Sequence, residues 1–334
     1  MRIRASSAKA AALVAALLVA CAAAALSLSL GTLRLPPDDV IRTLLGHGEE
    51  QHRMIVLQLR LPRVLAALMV GAALGVAGAL LQGVIRNPLA SPDVLGITGG
   101  AAVLVVALIT FFPKASVHLI PFLAAAGALG AASLNYVLAW RKGVSPTRLV
   151  MIGIGLSTAA GALTTFLIIS GPAHRAHNLL NWTTGSLYGT SWTYVHMLWP
   201  WLLLFLPLAL LLARELNVQG LGDAAAIGLG SRIQPSRLLA LAVCVALTGA
   251  AVGVAGTLAF VGLMAPHMAR RLAGLSYRYV IPMSALLGAI LTVLADLAGR
   301  TLFSPLDVPA GVFTAGIGAP FFIYLLLRAK RRAV

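Results

Sequence analysis

From Leu238 to Met268 the chain carries no Asp, Glu, Lys or Arg, and comparable uncharged runs recur along its length. A bilayer core about 30 Å thick takes roughly 20 apolar residues per helical crossing. Most of these runs therefore read as single spans, whereas Leu238–Met268 is too long for one and short for two. With 60% hydrophobic and 10% charged residues, the 334-residue chain lacks the polar surface of a soluble fold, where about 25% charge is usual. Outer-membrane barrels alternate apolar and polar residues, and these runs do not. The expectation is an all-α polytopic membrane protein.

Reading apolar runs between charges predicts spans at about Ala10–Leu33, Met54–Ile85, Val94–Phe112, Val117–Trp140, Thr147–Ser170, Trp192–Ala213, Val280–Leu302 and Ala310–Leu327. A polar stretch, Arg34–Arg53, separates the first two. The wetter stretch Gly171–Ser191 is expected to hold a short surface helix around Asn178–Leu187. If Arg237 and the Arg270–Arg271 pair share a side, Leu238–Met268 enters and returns, turning near Gly253 or Gly256. That makes ten transmembrane helices in a single domain over residues 1–334, with both termini cytoplasmic. This topology puts 17 of the 25 basic residues on the cytoplasmic side, as the positive-inside rule requires.

The formal charge of +16 would suggest nucleic acid in a soluble protein. Here the basic residues flank apolar runs and no aromatic residues interleave with them, so no nucleic-acid partner is expected. Cys21 follows Leu18-Val19-Ala20 in the manner of a lipoprotein signal, but the apolar run continues past it, and a first transmembrane helix is expected. Gly71, Gly75 and Gly78 recur at about one-turn spacing and suit close helix packing.

Several absences are informative. The chain has no G-x-x-x-x-G-K-[ST] phosphate loop, so no nucleotide site of that kind and no catalytic residue is expected. Asp296 is the one acidic residue expected deep within a span, with Arg300 at i+4 as its local partner. An ion-coupled carrier usually places several ionisable groups at membrane depth. His174 and His177 lie three apart, but Arg175 intervenes and no carboxylate or cysteine accompanies them, so they read as surface residues and no metal site is expected.

Arg60-Leu-Pro-Arg63, Gly71-Ala-Ala-Leu-Gly75 and above all Gln82-Gly-Val-Ile-Arg-Asn-Pro-Leu-Ala-Ser-Pro-Asp-Val-Leu-Gly96 resemble the FecCD family. These are permease subunits of bacterial ABC importers for iron chelates, haem and cobalamin. Trp182-Thr-Thr-Gly-Ser-Leu187, Leu221-Gly-Asp-Ala-Ala225 with Leu229-Gly230, Phe260-Val-Gly-Leu-Met-Ala-Pro-His-Met-Ala-Arg270, Pro309-Ala-Gly-Val312 and Gly318-Ala-Pro320 extend the resemblance over about residues 54–325. It implies a ten-helix subunit of the bacterial inner membrane that pairs with a second permease subunit, homodimeric or heterodimeric. Two ATPase subunits bind below, using ATP and Mg, and a periplasmic solute-binding protein docks above.

The resemblance also implies roles. The cytoplasmic stretch of about residues 214–237, between the sixth and seventh spans, is expected to hold the short coupling helix pushed by the ATPase. Leu221, Gly222, Asp223, Ala224, Ala225, Ala226 and Gly228 carry it, with Asp223 suited to the N-cap and the alanines to propagation. The chain lacks the charged residue that relatives often carry just after Asp223. Asn87 and Leu89, with Ser145 and Thr147, are expected at a cytoplasmic gate. Arg60, Arg63 and Arg300 match positions that meet binding-protein glutamates. Guanidinium suits bidentate carboxylate recognition, and arginines anchoring helix ends at the headgroups are the alternative. The expected cargo is a ferric siderophore. Haem or cobalamin would use the same architecture, while an ion-coupled secondary transporter and a non-transporting scaffold are the readings from other classes.

Overall fold

The computed structural model describes residues 2–31, 33–141 and 146–330. Their regular elements are helices throughout. Helix α1 covers Arg2–Ser29, and a short amphipathic α2, Pro37–Leu44, follows in the polar stretch. Next, α3 (Glu50–Arg53) passes through a π-helical stretch, Met54–Arg60, into α4 (Leu61–Ile85) as one 36-residue helix. Then come α5 (Ile97–Phe111), α6 (Ile120–Ala139), α7 (Pro146–Ser170), α8 (Ala173–Thr184) and α9 (Trp192–Leu211). Two short helices, α10 (Ala213–Gln219) and α11 (Asp223–Gly228), precede α12 (Ile233–Ala255), α13 (Val261–Ala273), α14 (Tyr277–Thr301) and α15 (Ala310–Lys330). Among the described residues, seven helical stretches are long and apolar enough to cross a membrane, and Ile97–Phe111 and Ala310–Leu325 are shorter apolar helices. The protein is a multi-pass, all-helical membrane protein.

The ambiguous run from Leu238 to Met268 is divided at Gly256, where φ is 68°, one of the two turning points expected. The surface helix differs from expectation. It starts at Ala173 behind Pro172 and stops before Gly185, whose φ of 91° interrupts the helix. Proline is favoured in the first turn of a helix and glycine readily ends one, so those two residues outweigh the polar pattern around Asn178. Asp223 also differs. It is the first helical residue of α11, behind Gly222, and its side chain makes no cap bond.

Helix α4 lies at the centre, packed by α14, α12, α13 and α9. Every residue from Ala73 to Ile85 is buried, consistent with a helix that is apolar all round. The glycine spacing explains how neighbours come so near. A Cβ on Gly71 would collide with the backbone of Gly288 in α14, and one on Gly75 with the Ser284 carbonyl. A Cβ on Gly78 would strike the Gly262 carbonyl at the start of α13. These are backbone contacts, which no rotamer change can relieve.

Gly78→Ala is therefore expected to destabilise the protein by about 1–3 kcal/mol through overpacking. Gly130→Ala in α6, where a Cβ meets nothing within 4 Å, should be neutral or slightly stabilising, by up to about 1 kcal/mol of helix propensity. Thermal unfolding of the two variants in detergent separates the cases. Equal melting points would contradict the backbone-contact account.

Candidate functional site

Two clusters of charge mark the two ends of α4. At its N-terminal end, Arg63 Nε donates to both carboxylate oxygens of Asp296 at 3.0 Å, and Nη2 reaches Oδ1 at 2.8 Å. Nη1 and Nη2 also donate to the two oxygens of Asp307, at 2.6 and 2.9 Å. Asp296, in α14, is 2% exposed, and Asp307 comes from the α14–α15 loop. The expected Asp296–Arg300 pair exists at 3.8 Å, but it is the weaker contact. Arg300 Nη2 turns instead to Ser27, donating to Oγ at 2.6 Å and to the carbonyl. Arg60 donates to the carbonyls of Leu28 at 2.6 Å, Ser29 at 3.1 Å and Leu33, satisfying acceptors left open where α1 ends. All three arginines are thus engaged within the chain. Three guanidiniums against two carboxylates leave this end one positive charge in excess.

At its C-terminal end, α4 stops at Arg86, which takes a left-handed conformation with φ 54°. Arg86 pairs with Asp223 of α11, and Arg237 of α12 donates to the same Asp223 oxygen at 2.7 Å. Burial pushes the Asp223 carboxyl up, but the Arg237 hydrogen bond, with the charges of Arg237 and Arg86, outweighs it and holds the group below the usual carboxylate range. A depressed folded value means the link is complete above the ordinary aspartate range and is lost only as pH falls through the lowered one. Beside it, Asn87 Oδ1 accepts from the Leu89 backbone N–H at 2.9 Å, closing an Asx turn around Pro88. Thr147 sits exposed in the first turn of α7, and Ser145 lies outside the described residues. Ile85, Leu149 and Arg237 line one small cavity, so the ends of α4, α7 and α12 meet here.

The α10–α11 region presents a second unusual surface. Leu221, Ile227 and Leu229 are 66%, 65% and 66% exposed, with Ala224 and Ala225 exposed beside them, while Ala226 is buried and anchors the turn. Gly222, with φ 104°, and Gly228 bracket it.

Composition hid one further carboxylate. Asp93 lies on the α4–α5 loop, hydrogen-bonded by the Thr98 side chain and the Phe260 backbone, so it sits against the starts of α5 and α13. Asp296 is therefore not the one carboxylate among the packed helices. Arg86 and Leu229 lie within motifs read from sequence and Arg237 marks the end of a charged stretch, but the pairing of both arginines with Asp223, the pairing of Asp307 with Arg63 and the exposure of Ile227 and Leu229 appear only in the fold. His174 and His177 are exposed, with the latter 3.1 Å from Asn181, and His267 packs edge-on to Phe321 at 5.5 Å.

Residues 13–328 match the FecCD transport family. The chain belongs to that family. This FecCD protein is 48% identical over 311 residues to the probable siderophore transport system permease protein YfhA of Bacillus subtilis, covering 91% of each chain. It is 42% identical over 307 residues to the Fe(3+) dicitrate transport system permease protein FecD of Escherichia coli, covering 92% of this chain and 95% of that one. A solved structure of a metal-chelate type ABC transporter in an inward-facing conformation superposes with a TM-score of 0.83 at 29% identity, covering 95% of this chain and 98% of that one. FecCD proteins are translocation subunits, consistent with the missing phosphate loop.

Removing the Arg63 side chain strands a buried carboxylate. Arg63→Leu is expected to cost about 3–5 kcal/mol, whereas Arg63→Leu combined with Asp296→Leu should cost far less. A double-mutant cycle by thermal or denaturant unfolding measures the coupling. Additive losses would mean the pair does not hold α4 to α14.

Proposed function

We propose that this chain is the single-domain permease subunit of an ATP-driven importer that carries a ferric siderophore from periplasm to cytoplasm. The observation that carries the importer reading is the apolar patch Leu221–Ile227–Leu229, bound through Asp223 to the end of the buried α4. Three large apolar side chains at about two-thirds exposure in a charged surface loop fit a protein partner. The near full-length likeness to a siderophore permease supports the cargo.

On this reading ten spans cross the inner membrane: α1, α3–α4, α5, α6, α7, α9, α12, α13, α14 and α15. The even count leaves both termini cytoplasmic. A second permease subunit completes the pathway, two ATPase subunits hold ATP and Mg, and a binding protein delivers the cargo. The short helix α11 takes the ATPase stroke on an apolar face, and so does not need the charged residue that follows Asp223 in relatives. Asp223 passes the displacement to Arg86 and Arg237, hence to the ends of α4 and α12. Asn87 and Leu89, with Ser145 and Thr147, form the gate beside them.

The opposite end of α4 receives the binding protein. Arg60, Arg63 and Arg300 hold one positive charge in excess, and Asp307 sits on a loop at 21% side-chain exposure. An incoming carboxylate takes the place of Asp307 on Arg63, while Arg60 and Arg300 keep the helix ends in place. A haem or cobalamin importer would share all of this. An ion-coupled carrier usually gathers several ionisable groups at membrane depth, whereas Asp296 is held by Arg63 and Asp93 is, among the described residues, the single carboxylate in its cavity.

The test is uptake of ⁵⁵Fe-labelled siderophore by proteoliposomes holding the chain, its ATPase and its binding protein. Uptake should require ATP, and the chain alone under an ion gradient should accumulate nothing. Gradient-driven accumulation without the ATPase would refute the importer reading. Ala225→Glu is expected to abolish ATP-driven uptake while leaving binding-protein affinity intact. Survival of both uptake and complex assembly in that variant would remove the coupling role of α11.

A further inference from the structure

A cavity of about 350 Å³ lies between α5, the far half of α7, α8 and the Thr257–Ala259 segment that leads into α13. It contains Asp93 and is otherwise lined largely by hydroxyls and small residues. The orientation of those hydroxyls is what matters. On α7, Thr164 donates to the Ala160 carbonyl at 2.8 Å, Thr165 to Gly161 at 3.0 Å, and Ser157 to the Asp93 carbonyl at 2.6 Å. On α8, Thr183 donates to the Leu180 carbonyl at 3.0 Å, and Thr257 donates to the carbonyl of Thr183. Thr98 hydrogen-bonds the Asp93 carboxylate.

A hydroxyl has one proton to give and two lone pairs to offer. Among the described residues six hydroxyls line this cavity, and Ser157, Thr164, Thr165, Thr183 and Thr257 each donate their proton to a backbone carbonyl. They turn only acceptor capacity toward the space between the helices. The Asp93 carboxylate is likewise an acceptor, and among the described residues no basic side chain lines the cavity. A lining of this kind solvates hydrogen-bond donors and cations and leaves anionic oxygens without partners.

We propose that this cavity is a passage site selective for cationic or donor-bearing solute groups, such as a pendant ammonium, amide N–H or free hydroxyl, over carboxylates. The proposal rests on the permease reading for its place on a solute pathway, but the property of the cavity is testable apart from transport. The route is Thr165→Cys in a background carrying Cys21→Ala and Cys244→Ala, with Thr158→Cys on the same helix as the reporter outside the cavity. The purified chain is modified in detergent by a trimethylammonium methanethiosulfonate and by a sulfonate methanethiosulfonate of similar size, and each rate is normalised to that of free 2-mercaptoethanol.

The cationic-to-anionic rate ratio at Cys-substituted 165 should exceed that at 158 by about tenfold, the lower end for a cleft lined by one sign of charge. Asp93→Asn should bring the ratio most of the way back. If that variant does not fold, the comparison of the two reporter positions still decides. Equal ratios at the two positions, a preference for the sulfonate, or no reaction at 165 with either reagent would each overturn the proposal. Failure of ATP-driven uptake with a preserved tenfold ratio would count against the permease reading and leave the cavity's selectivity standing.

Discussion

Lipid tails solvate leucine about as well as a protein interior does, so helices in a bilayer need more than hydrophobic burial to choose their neighbours. In this chain the answer is backbone contact along α4. Gly71, Gly75 and Gly78 let α14 and α13 approach until carbonyl groups fill the space a side chain would take. Dispersion at that range is short-ranged and exacting, which fixes the register of three helices at once. Polar contacts are then placed by this packing. Gln82, buried on the same helix, meets Arg270 of α13 only because Gly78 has already brought α13 against α4.

The same helix has an ionic link at each end. Arg63 ties its first turn to α14 and to the following loop, and Arg86 ties its last residue to α11. The two arginines are 23 positions apart, about 35 Å at the rise of an α-helix. A helix packed backbone to backbone along that length moves as a body, because it has no soft side-chain layer to absorb a displacement. The buried pair at one end is expensive to break and the exposed one at the other is cheap. The Arg86–Asp223 link, beside the Asx turn of Asn87, is accordingly the cheaper of the two to open.

Much of this was legible from residue patterns. Uncharged runs and flanking arginines reveal spans because bilayer solvation acts on each segment separately, and the glycine spacing on α4 reports its packing for the same local reason. The π-helical stretch and the α3 turn were invisible, since Met54–Arg60 has nothing in its composition to distinguish it from an ordinary helix. The partners of the arginines were not legible either. Arg300 at i+4 from Asp296 is the pair that spacing suggests, yet Arg63 takes the carboxylate from 233 positions away because α4 and α14 lie against each other. In sequence Asp93 is one residue of a loop motif, whereas in the fold two helix starts converge on it.

The fate of Asp223 bears on how a stroke from below is received. Spacing made it an N-cap, but its carboxylate is spent on Arg86 and Arg237, leaving α11 an apolar outer face. A charged contact with a moving partner would have to be desolvated and resolvated in every cycle, and each desolvation costs free energy. An apolar face joined to an internal ion pair divides the work differently. On the importer reading, a partner grips leucine and isoleucine, which tolerate small shifts in register, and the directional part of the coupling stays inside the chain, where Arg86 and Arg237 meet one oxygen of Asp223.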